Sequence, residues 1–350
     1  MKKPSSILRI INNVLFYTTI IVGLVSLLPG HWLPGVGVLN IIFPFLIIPH
    51  FILGILNIIF QPRLLIKSAI GITLLFIPLM AQLPLATLPQ PGEIKWKVAS
   101  YNVQAFYQKS GAADDIASWT QEEGVDILCT QELRRSMASP IAEHYPFRVY
   151  APNNKKIVTA IYSKYPIVDD GPLIFEAMEN DSFEKYSAGF ADIALPNDTI
   201  RIINIHLSST GIKDKDMSIE PSREEWIEKS QFMAKKIARS DPDRSKQGEN
   251  ILQWIRSSPH PVVLTGDFNS VPGGYLYASL LWELDDPYIF SGSGSWGSYL
   301  TLLKKGLPLR IDWTLVDGNL PYSGQYLSDV AYSDHRPLIT TFSAFPNEPR

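Results

Sequence analysis

Three long apolar runs in the N-terminal part of the chain constrain its fold more than any other feature. They cover about residues 14–28, 38–60 and 64–83. A helix needs roughly 20 mainly apolar residues to cross the hydrocarbon core of a bilayer. The second run meets this length, and the first and third meet it when their polar flanks are included. The pattern predicts a membrane anchor with about three transmembrane helices over residues 1–85.

Two other interpretations of the apolar runs are weaker. A cleaved signal peptide would account for the first run, and buried core helices would account for the others. A signal peptide explains only one of the three segments, and no small-residue cleavage site follows the first run. The interpretation as three membrane spans covers all of them at once.

Basic residues predict how the spans are oriented. Lys2, Lys3 and Arg9 precede the first span, and Arg63 and Lys67 stand at the start of the third. The loop between the first two spans has no lysine or arginine. The positive-inside rule then places the N-terminus in the cytoplasm. An integral membrane protein with an extracytoplasmic catalytic domain is expected, on the periplasmic side if the source is bacterial.

The remainder of the chain has the pattern of an ordinary α/β domain. Residues 86–94 are proline-rich, and we expect them to be a short, stiff linker to a domain over residues 95–350. Short strands with interspersed helices there indicate two sheets rather than a simple βαβ series. Amphipathic helices are predicted over about 221–239 and 244–257. The role of the 211–243 insert stays open between a solvated flank helix and a lid on the substrate or membrane side.

Charge and cysteine content narrow the function classes. The net charge of −3 argues against a domain that holds nucleic acid by bulk electrostatics, although a nuclease that meets its substrate briefly stays open. The one cysteine, Cys129, lies in an apolar strand, and we expect it to be buried. A single cysteine excludes an intramolecular disulfide and a cysteine-based zinc site.

Polar side chains stand at the ends of six predicted strands. They are Asn102, Gln131, Glu132, His206, Asp267, Asn269, Asp312, Asp334 and His335. Each alone fits a turn or capping role. If the strand ends share one edge, they form an acidic pocket with two histidines. Carboxylate and amide oxygens suit Mg²⁺ or Mn²⁺ rather than zinc, and imidazoles exchange protons near neutral pH. The set therefore favours attack of water on a phosphate ester, since no Walker loop is present.

At these residues the chain resembles the endonuclease/exonuclease/phosphatase superfamily, which has the DNase-like fold. Seven motifs carry the resemblance in family order over about residues 95–343: SYNVQAF, CTQEL, IYSKYPI, INIHLSS, LTGDFNSVP, RIDWTLV and YSDHRPL. The resemblance implies an α/β fold, a four-layer sandwich of two packed β-sheets flanked by helices, here preceded by the three transmembrane helices. The site is then expected at one edge of the sheets.

The resemblance also implies a metal site. Glu132 is similar to the main Mg²⁺ ligand of the family, with Asn102 beside it, and Asp334 is expected to contribute. Mn²⁺ is an alternative ion. Gln104 stands where some DNA-repair members carry an acidic residue, so no second metal ligand is expected at that position.

Five further residues are matched to catalytic roles by the resemblance. Asp267 and Asn269 are similar to the pair that orients the attacking water and the phosphate. His206 is similar to the histidine that contacts a phosphate oxygen or protonates the leaving group. His335 is matched to the second catalytic histidine, oriented by Asp312, and is assigned as the base.

The predicted function is that of a membrane-tethered, Mg²⁺-dependent phosphoric ester hydrolase of the phosphodiesterase or endonuclease type. Its substrate is either extracytoplasmic DNA or RNA, or the headgroup of a phospholipid or sphingomyelin. The lipid bilayer is its partner through the N-terminal helices. A hypothesis from another class stays open, in which the domain is a catalytically inactive, membrane-tethered binding module.

Overall fold

Apolar helices form the N-terminal part of the structure, a computed structural model that describes residues 4–85, 93–151, 156–175, 187–212, 223–300 and 309–346. The helices are α1 (Pro4–Ser26), α2 (Val36–Ile42), α3 (Ile47–Phe60) and α4 (Leu65–Gln82). Short 3₁₀ turns at Phe43–Leu46 and Pro62–Leu64 join α2 to α3 and lead into α4. By length and composition, Ser6–Ser26, Val36–Phe60 and Pro62–Gln82 could each cross a membrane. These three segments coincide with the three predicted spans.

Buried polar side chains connect the apolar helices to one another. His50 Nε2 on α3 is 2.9 Å from the hydroxyl of Thr19 on α1. Asn57 Nδ2 donates to Asn12 Oδ1 at 2.7 Å and to Ser68 Oγ at 3.1 Å, joining α1, α3 and α4. Such hydrogen bonds hold helices together where no water competes for the polar groups. The four helices therefore form one packed bundle.

Twelve strands follow in the part of the chain that the structure describes. They are β1 (Trp96–Asn102), β2 (Ile127–Arg134), β3 (Phe147–Ala151), β4 (Ile157–Ser163), β5 (Ile167–Pro172), β6 (Ser187–Ala194), β7 (Thr199–His206), β8 (Val262–Asp267), β9 (Gly292–Gly294), β10 (Asp312–Val316), β11 (Tyr322–Leu327) and β12 (Leu338–Phe342). The first sheet has the order β3-β4-β2-β1-β12-β11-β9, and the second has the order β10-β8-β7-β6-β5.

The two sheets pack face to face, with helices on both outer faces. Val98, Ile202 and Val263 belong to the apolar cluster between the sheets, and so does Cys129, which is buried as expected. The outer helices are α5 (Ala112–Glu122), α6 (Ser139–Ala142), α7 (Arg223–Arg256), α8 (Tyr275–Leu280) and α9 (Tyr288–Ser291). Helices α5 and α6 cover the first sheet, and α7 and α8 cover the second. The predicted four-layer sandwich is confirmed.

Helix α7 differs from the two helices expected over 221–239 and 244–257. It is one helix of 34 residues that continues through Pro242. Proline removes one i→i−4 hydrogen bond and usually kinks a helix. Here the helix is packed on both sides of the proline, since Ile237 lies against Gly37 and Ile251 is in the core cluster of the second sheet. Tertiary packing thus outweighs the local cost of Pro242.

Strand directions bring the strand ends that carry the candidate site residues to one edge. Strand β1 runs parallel to β2, and β7 runs parallel to β8. Strands β10 and β12 run antiparallel to β8 and β1, so each begins where its neighbour ends. The C-terminal ends of four strands and the N-terminal ends of two therefore meet at the same edge of the sandwich.

A glycine permits the close approach of β7 and β8 at that edge. Gly266 has φ of 144°, and a Cβ atom there would lie 1.9 Å from the carbonyl oxygen of Ile205. We expect Gly266→Ala to lower the free energy of unfolding by about 3 kcal/mol, because the backbones must separate. Gly111→Ala is the matched control, since Gly111 also has positive φ, 79°, but no atom within 4 Å of its Cβ position.

The measurement is thermal unfolding of the purified full-length chain in detergent, followed by near-ultraviolet circular dichroism. Gly111→Ala should cost only about 1 kcal/mol, the penalty of the left-handed backbone. Equal destabilisation by the two substitutions would contradict the steric explanation.

Candidate active site

Asp267 lies at the centre of the edge where the strands meet. In the register of the second sheet it is the neighbour of His206 on β7 and of Asp312 on β10. Asn102, at the end of β1 in the first sheet, donates from Nδ2 to Asp267 Oδ2 at 3.0 Å. The backbone N–H of Asn269 donates to Asp267 Oδ1 at 2.8 Å. One buried carboxylate therefore accepts hydrogen bonds from both sheets.

Two imidazoles flank this carboxylate. His335 Nδ1 is 2.9 Å from Asp312 Oδ2, and His335 Nε2 is 3.8 Å from Asp267 Oδ2. His206 Nε2 is 3.8 Å from the same oxygen and 3.6 Å from Glu132 Oε1. Although it is buried, His206 Nε2 has no hydrogen-bond partner among the described residues. Each histidine therefore directs one nitrogen toward the same small region between the carboxylates.

The charges around His335 favour its protonated form. Burial alone lowers the pKa of this imidazole, but the carboxylates of Asp312 and Asp267 outweigh burial and raise the pKa well above its usual value. Burial raises the pKa of Asp267, and the charge of Asp312 adds to this rise, while His335 and His206 oppose it. The surroundings thus raise the pKa of both groups, of His335 through the neighbouring carboxylates and of Asp267 mainly through burial.

A second group of polar side chains surrounds Glu132. Its Oε1 is 3.3 Å from Asn102 Nδ2, and 36% of its side chain is exposed. Asp334 Oδ2 accepts a hydrogen bond from Gln104 Nε2 at 2.8 Å. Burial raises the pKa of Asp334, and the repulsion from Glu132 raises it further, although His335 opposes the shift. Two carboxylates that repel each other beside an amide fit a hard divalent cation such as Mg²⁺ or Mn²⁺.

Ligand atoms of Asp267, Asp312 and His335 also lie within 4.8 Å of one another. All three residues are buried, and Asp312 Oδ2 is already engaged by His335 Nδ1. Mg²⁺ usually keeps several of its waters when it binds to a protein. The partly exposed Glu132 carboxylate has room for those waters, so it is the better candidate for a metal ligand.

Backbone strain is concentrated at this edge. Among the described residues, the non-glycine positions with positive φ are Gln104, Ala105, Phe106, Glu132 and Asn269, with φ between 44° and 62°. They follow the ends of β1 and β8 or lie within β2 at the metal-ligand candidate. Such conformations cost about 1–3 kcal/mol each and persist where the surrounding structure holds them, often at functional sites.

All eight residues that the sequence assigns to catalysis or metal binding lie together at this edge. A cavity of about 490 Å³ opens beside them, and Glu132, Asp267, Asn269, Asp334 and His335 line it. The roles of the eight residues stay predictions, because position alone does not assign a function.

The cavity also has lining residues that the sequence analysis did not identify. Arg244 from α7 and Gly37 and Ile41 from α2 line it. Tyr299 lines it as well, with its ring centroid 5.0 Å from that of His335, and here the sequence does give a signal, because the loop SGSGSWGSYL is expected to touch substrate. Among the other three residues, the sequence offers a signal only for Arg244, which stands in a charged segment, DPDR, that interrupts a helical pattern. An isoleucine within an apolar run carries no signal for its distant neighbours.

Comparison with known proteins supports one family. The model of the endonuclease/exonuclease/phosphatase family matches residues 99–335, which is more than half of the chain. No curated protein sequence gives a significant match.

Solved structures share the fold at low sequence identity. D. rerio TDP2 complexed with single strand DNA product has a TM-score of 0.52 at 14% identity, covering 71% of this chain and 99% of that one. An endonuclease/exonuclease/phosphatase family protein from Bacteroides thetaiotaomicron has a TM-score of 0.51 at 17% identity, covering 72% and 96%. A functionally unknown conserved protein from Enterococcus faecalis V583 has a TM-score of 0.52 at 16% identity, covering 70% and 98%. At these identities the likeness concerns the fold alone.

The pairing of His335 with Asp312 can be tested by titration. We expect Asp312→Asn to lower the pKa of His335 by about one unit or more, because the substitution removes a negative charge that stabilises the imidazolium. The measurement is a pH titration of the histidine ring signals by NMR on the full-length chain in detergent. Asp329→Asn is the control, since the Asp329 side chain is 85% exposed and contacts Arg336. An unchanged pKa in Asp312→Asn would contradict the electrostatic account.

Proposed function

Because the chain belongs to the endonuclease/exonuclease/phosphatase family, we propose that it is a metal-dependent phosphoesterase that hydrolyses a phosphodiester with an activated water. The observation that carries the proposal is the buried carboxylate of Asp267 between His206 and His335, next to the partly exposed carboxylate of Glu132. This arrangement offers a proton acceptor, two proton donors and a cation site around one small region.

Asp267 is the group that we assign to take a proton from the attacking water. Its raised pKa makes it a stronger base, and proton transfer is most efficient when the base has a pKa near the working pH. The hydrogen bonds from Asn102 and Asn269 fix the direction of the carboxylate. The amide of Asn269 adds a polar group at the same position, half-buried at the cavity wall.

For His335 we propose the role of a proton donor in place of the base that the sequence suggests, because its pKa is raised. An imidazolium has no lone pair to accept a proton, so it acts instead as a donor and a positive charge. With Nδ1 held by Asp312, its Nε2–H is directed toward the cavity and can hold a phosphate oxygen. The positive charge opposes the negative charge that builds up on the phosphate in the transition state.

His206 is suited to the leaving group. Its Nε2 has no hydrogen-bond partner and lies between Asp267 and Glu132. A donor at that position can protonate the oxygen that departs from phosphorus. The products are then an alcohol and a phosphomonoester. The oxygen of water is now bound to phosphorus, and the departing oxygen has gained a proton.

Glu132, with Asn102 and Asp334, would hold the divalent cation. When bound, Mg²⁺ or Mn²⁺ neutralises charge on the phosphate oxygens and favours ionisation of water. The carboxylates of Glu132 and Asp334 repel each other and make the potential of the site more negative. A divalent cation bound there would offset this repulsion.

The N-terminal helices complete the proposal as a membrane anchor. We assign residues 1–85 to the anchor, 86–94 to the linker and 95–350 to the catalytic domain. The distribution of Lys2, Lys3, Arg9, Arg63 and Lys67 supports a catalytic domain on the extracytoplasmic side.

The proposed chemistry predicts large losses of activity at two positions. We expect Glu132→Gln and His335→Ala each to lower kcat/KM by about a hundredfold or more, because they remove a metal ligand and a phosphate-binding charge. The substrates are DNA, RNA, sphingomyelin and bis(p-nitrophenyl) phosphate, each assayed with Mg²⁺ or Mn²⁺ and with EDTA. EDTA should abolish turnover, and added Mg²⁺ or Mn²⁺ should restore it.

Glu143→Gln and His144→Ala are the matched controls, because they change the same residue types. Both residues are exposed and neither lines the cavity. Full activity of either site variant would refute its assigned role. An absence of turnover on every phosphoester by metal-loaded protein would instead favour the inactive binding module.

The proposed orientation predicts which side of the membrane each part faces. Native Cys129 is buried, so a membrane-impermeant maleimide should report on introduced cysteines only. In intact spheroplasts we expect Asp169→Cys to be labelled, and Pro62→Cys to be labelled only after permeabilisation. Both positions are exposed, and neither substitution removes a basic residue. The opposite pattern would reverse the orientation, and labelling of both without permeabilisation would refute the spanning arrangement.

A further inference from the structure

The cavity beside the catalytic residues has one wall from the second apolar segment. Gly37 and Ile41 of α2 line it together with Glu132, Asp267 and His335. Ile41 also packs in an apolar cluster with Val271, Leu309, Ile311 and Tyr299. The segment that contributes this wall, Val36–Phe60, is one of the three that could cross a membrane.

A buried ion pair attaches this wall to α7. The carboxylate of Asp241 accepts hydrogen bonds from the backbone N–H groups of Gly35 at 3.0 Å and Gly37 at 2.9 Å. Arg244 Nη2 donates to the same carboxylate at 2.5 Å, and Arg244 Nη1 donates to the carbonyl of Ser208 at 3.2 Å. Charge-assisted hydrogen bonds of this kind are among the strongest in proteins. Ser208 lies two residues beyond His206, so the attachment reaches the active-site edge directly.

The fit at the ion pair is close. A Cβ atom on Gly37 would lie 2.6 Å from Asp241 Oδ1, so only glycine allows this approach. A second close approach joins Asn40 of α2 to Gly274, where a Cβ atom would lie 2.0 Å from Asn40 Nδ2. The start of α2 therefore occupies a fixed place against the sandwich.

A second attachment joins α4 to the sandwich. The fully buried guanidinium of Arg310 donates to the carbonyl of Ala81 at 2.6 Å and to Asp286 Oδ2 at 2.7 Å. Met80 and Ala81 belong to the same apolar cluster as Leu264 and Trp313 of the second sheet. With attachments at α2 and α4, the active-site edge is held against the ends of two apolar helices.

The cavity thus has two chemically different parts. Carboxylates and an imidazole line one part of it, and the clustered side chains of Ile41, Val271, Leu309 and Ile311 line another part. Among the described lining residues, Arg244 is the sole lysine or arginine, and Asp241 neutralises it. Proteins that bind single-stranded nucleic acid combine a positively charged groove with aromatic stacking platforms. The described part of this cavity has two tyrosines, Tyr107 and Tyr299, but it lacks the positive charge of such a groove and offers an apolar surface instead.

We propose that the substrate is a membrane lipid whose headgroup is attached through a phosphodiester, with its apolar part lying along Ile41. This inference rests on the proposed function and names the substrate class for the same site. Water adds to phosphorus, one ester P–O bond breaks, and the departing oxygen takes a proton to leave as an alcohol. The lipid reaches the site from the bilayer, because the cavity wall continues into a segment suited to the membrane interior.

The test compares each lipid with the same phosphodiester without its apolar chains. Full-length protein in dodecyl maltoside with Mg²⁺ is given mixed micelles of phosphatidylglycerol, phosphatidylethanolamine, phosphatidylcholine or sphingomyelin. The soluble counterparts are glycerophosphoglycerol, glycerophosphoethanolamine and glycerophosphocholine, and a single-stranded DNA and an RNA oligonucleotide are included. We expect at least one lipid to be hydrolysed with a kcat/KM at least about tenfold above those of the soluble diesters and the oligonucleotides.

Substitutions on α2 test the role of the apolar wall. Ile41→Ala should lower the ratio of lipid to soluble-diester kcat/KM by about tenfold, since lost methylene contacts in an apolar pocket reduce discrimination by 10-fold or more. Ile42→Ala is the matched control. Ile42 is the next residue along α2, but its side chain is exposed and does not line the cavity. It should leave the ratio unchanged.

The outcomes separate the two proposals. Soluble diesters or oligonucleotides hydrolysed as fast as the lipids would overturn the lipid assignment and leave the phosphodiesterase intact. An equal change of the ratio in Ile41→Ala and Ile42→Ala would overturn the role of the wall. Failure to hydrolyse any of the compounds would overturn the proposed function itself.

Discussion

The hydrogen bond between Asn102 and Asp267 joins the two sheets at the edge on which the whole site depends. It is the point where a strand end of the first sheet meets a buried carboxylate of the second, at 3.0 Å. A buried carboxylate is tolerated only when polar partners surround it. Asp267 obtains those partners from β1, from the loop after β8 and from two histidines. The same groups that make its burial tolerable are the groups that a phosphoester hydrolase needs around its substrate.

Much of this edge could be predicted from local sequence, because each strand carries its candidate residue at or beside one of its ends. Glu132, Asp267 and His335 are predicted in this way, and the parallel pairs β1–β2 and β7–β8, together with the antiparallel pair β1–β12, bring them to the same edge. The size of the combined effect on the pKa of His335 depends on Asp267 as well as Asp312, and pairing between strands is what brings both carboxylates near. The strained backbone of Glu132 and its neighbours likewise follows from tertiary packing rather than from residue type.

The contacts between the apolar helices and the sandwich lay beyond the reach of sequence reasoning. Asp241 binds the backbone N–H groups of Gly35 and Gly37, which are about two hundred residues away along the chain. Backbone donors leave no trace in the sequence, and a carboxylate in a charged segment resembles any solvated residue. The sequence likewise predicts two separate helices over 221–239 and 244–257, although packing on both sides of Pro242 makes them one.

The burial of Arg310 also has a consequence for the order in which the molecule assembles. Its Nη1 donates to the carbonyl of Ala81, so a sandwich that folded before α4 was in place would lack the partner of this buried donor. Chains are made from the N-terminus, and the apolar helices emerge before any strand. The apolar helices can therefore act as a template on which the second outer layer closes, so packing of these helices is an early step in folding of the sandwich.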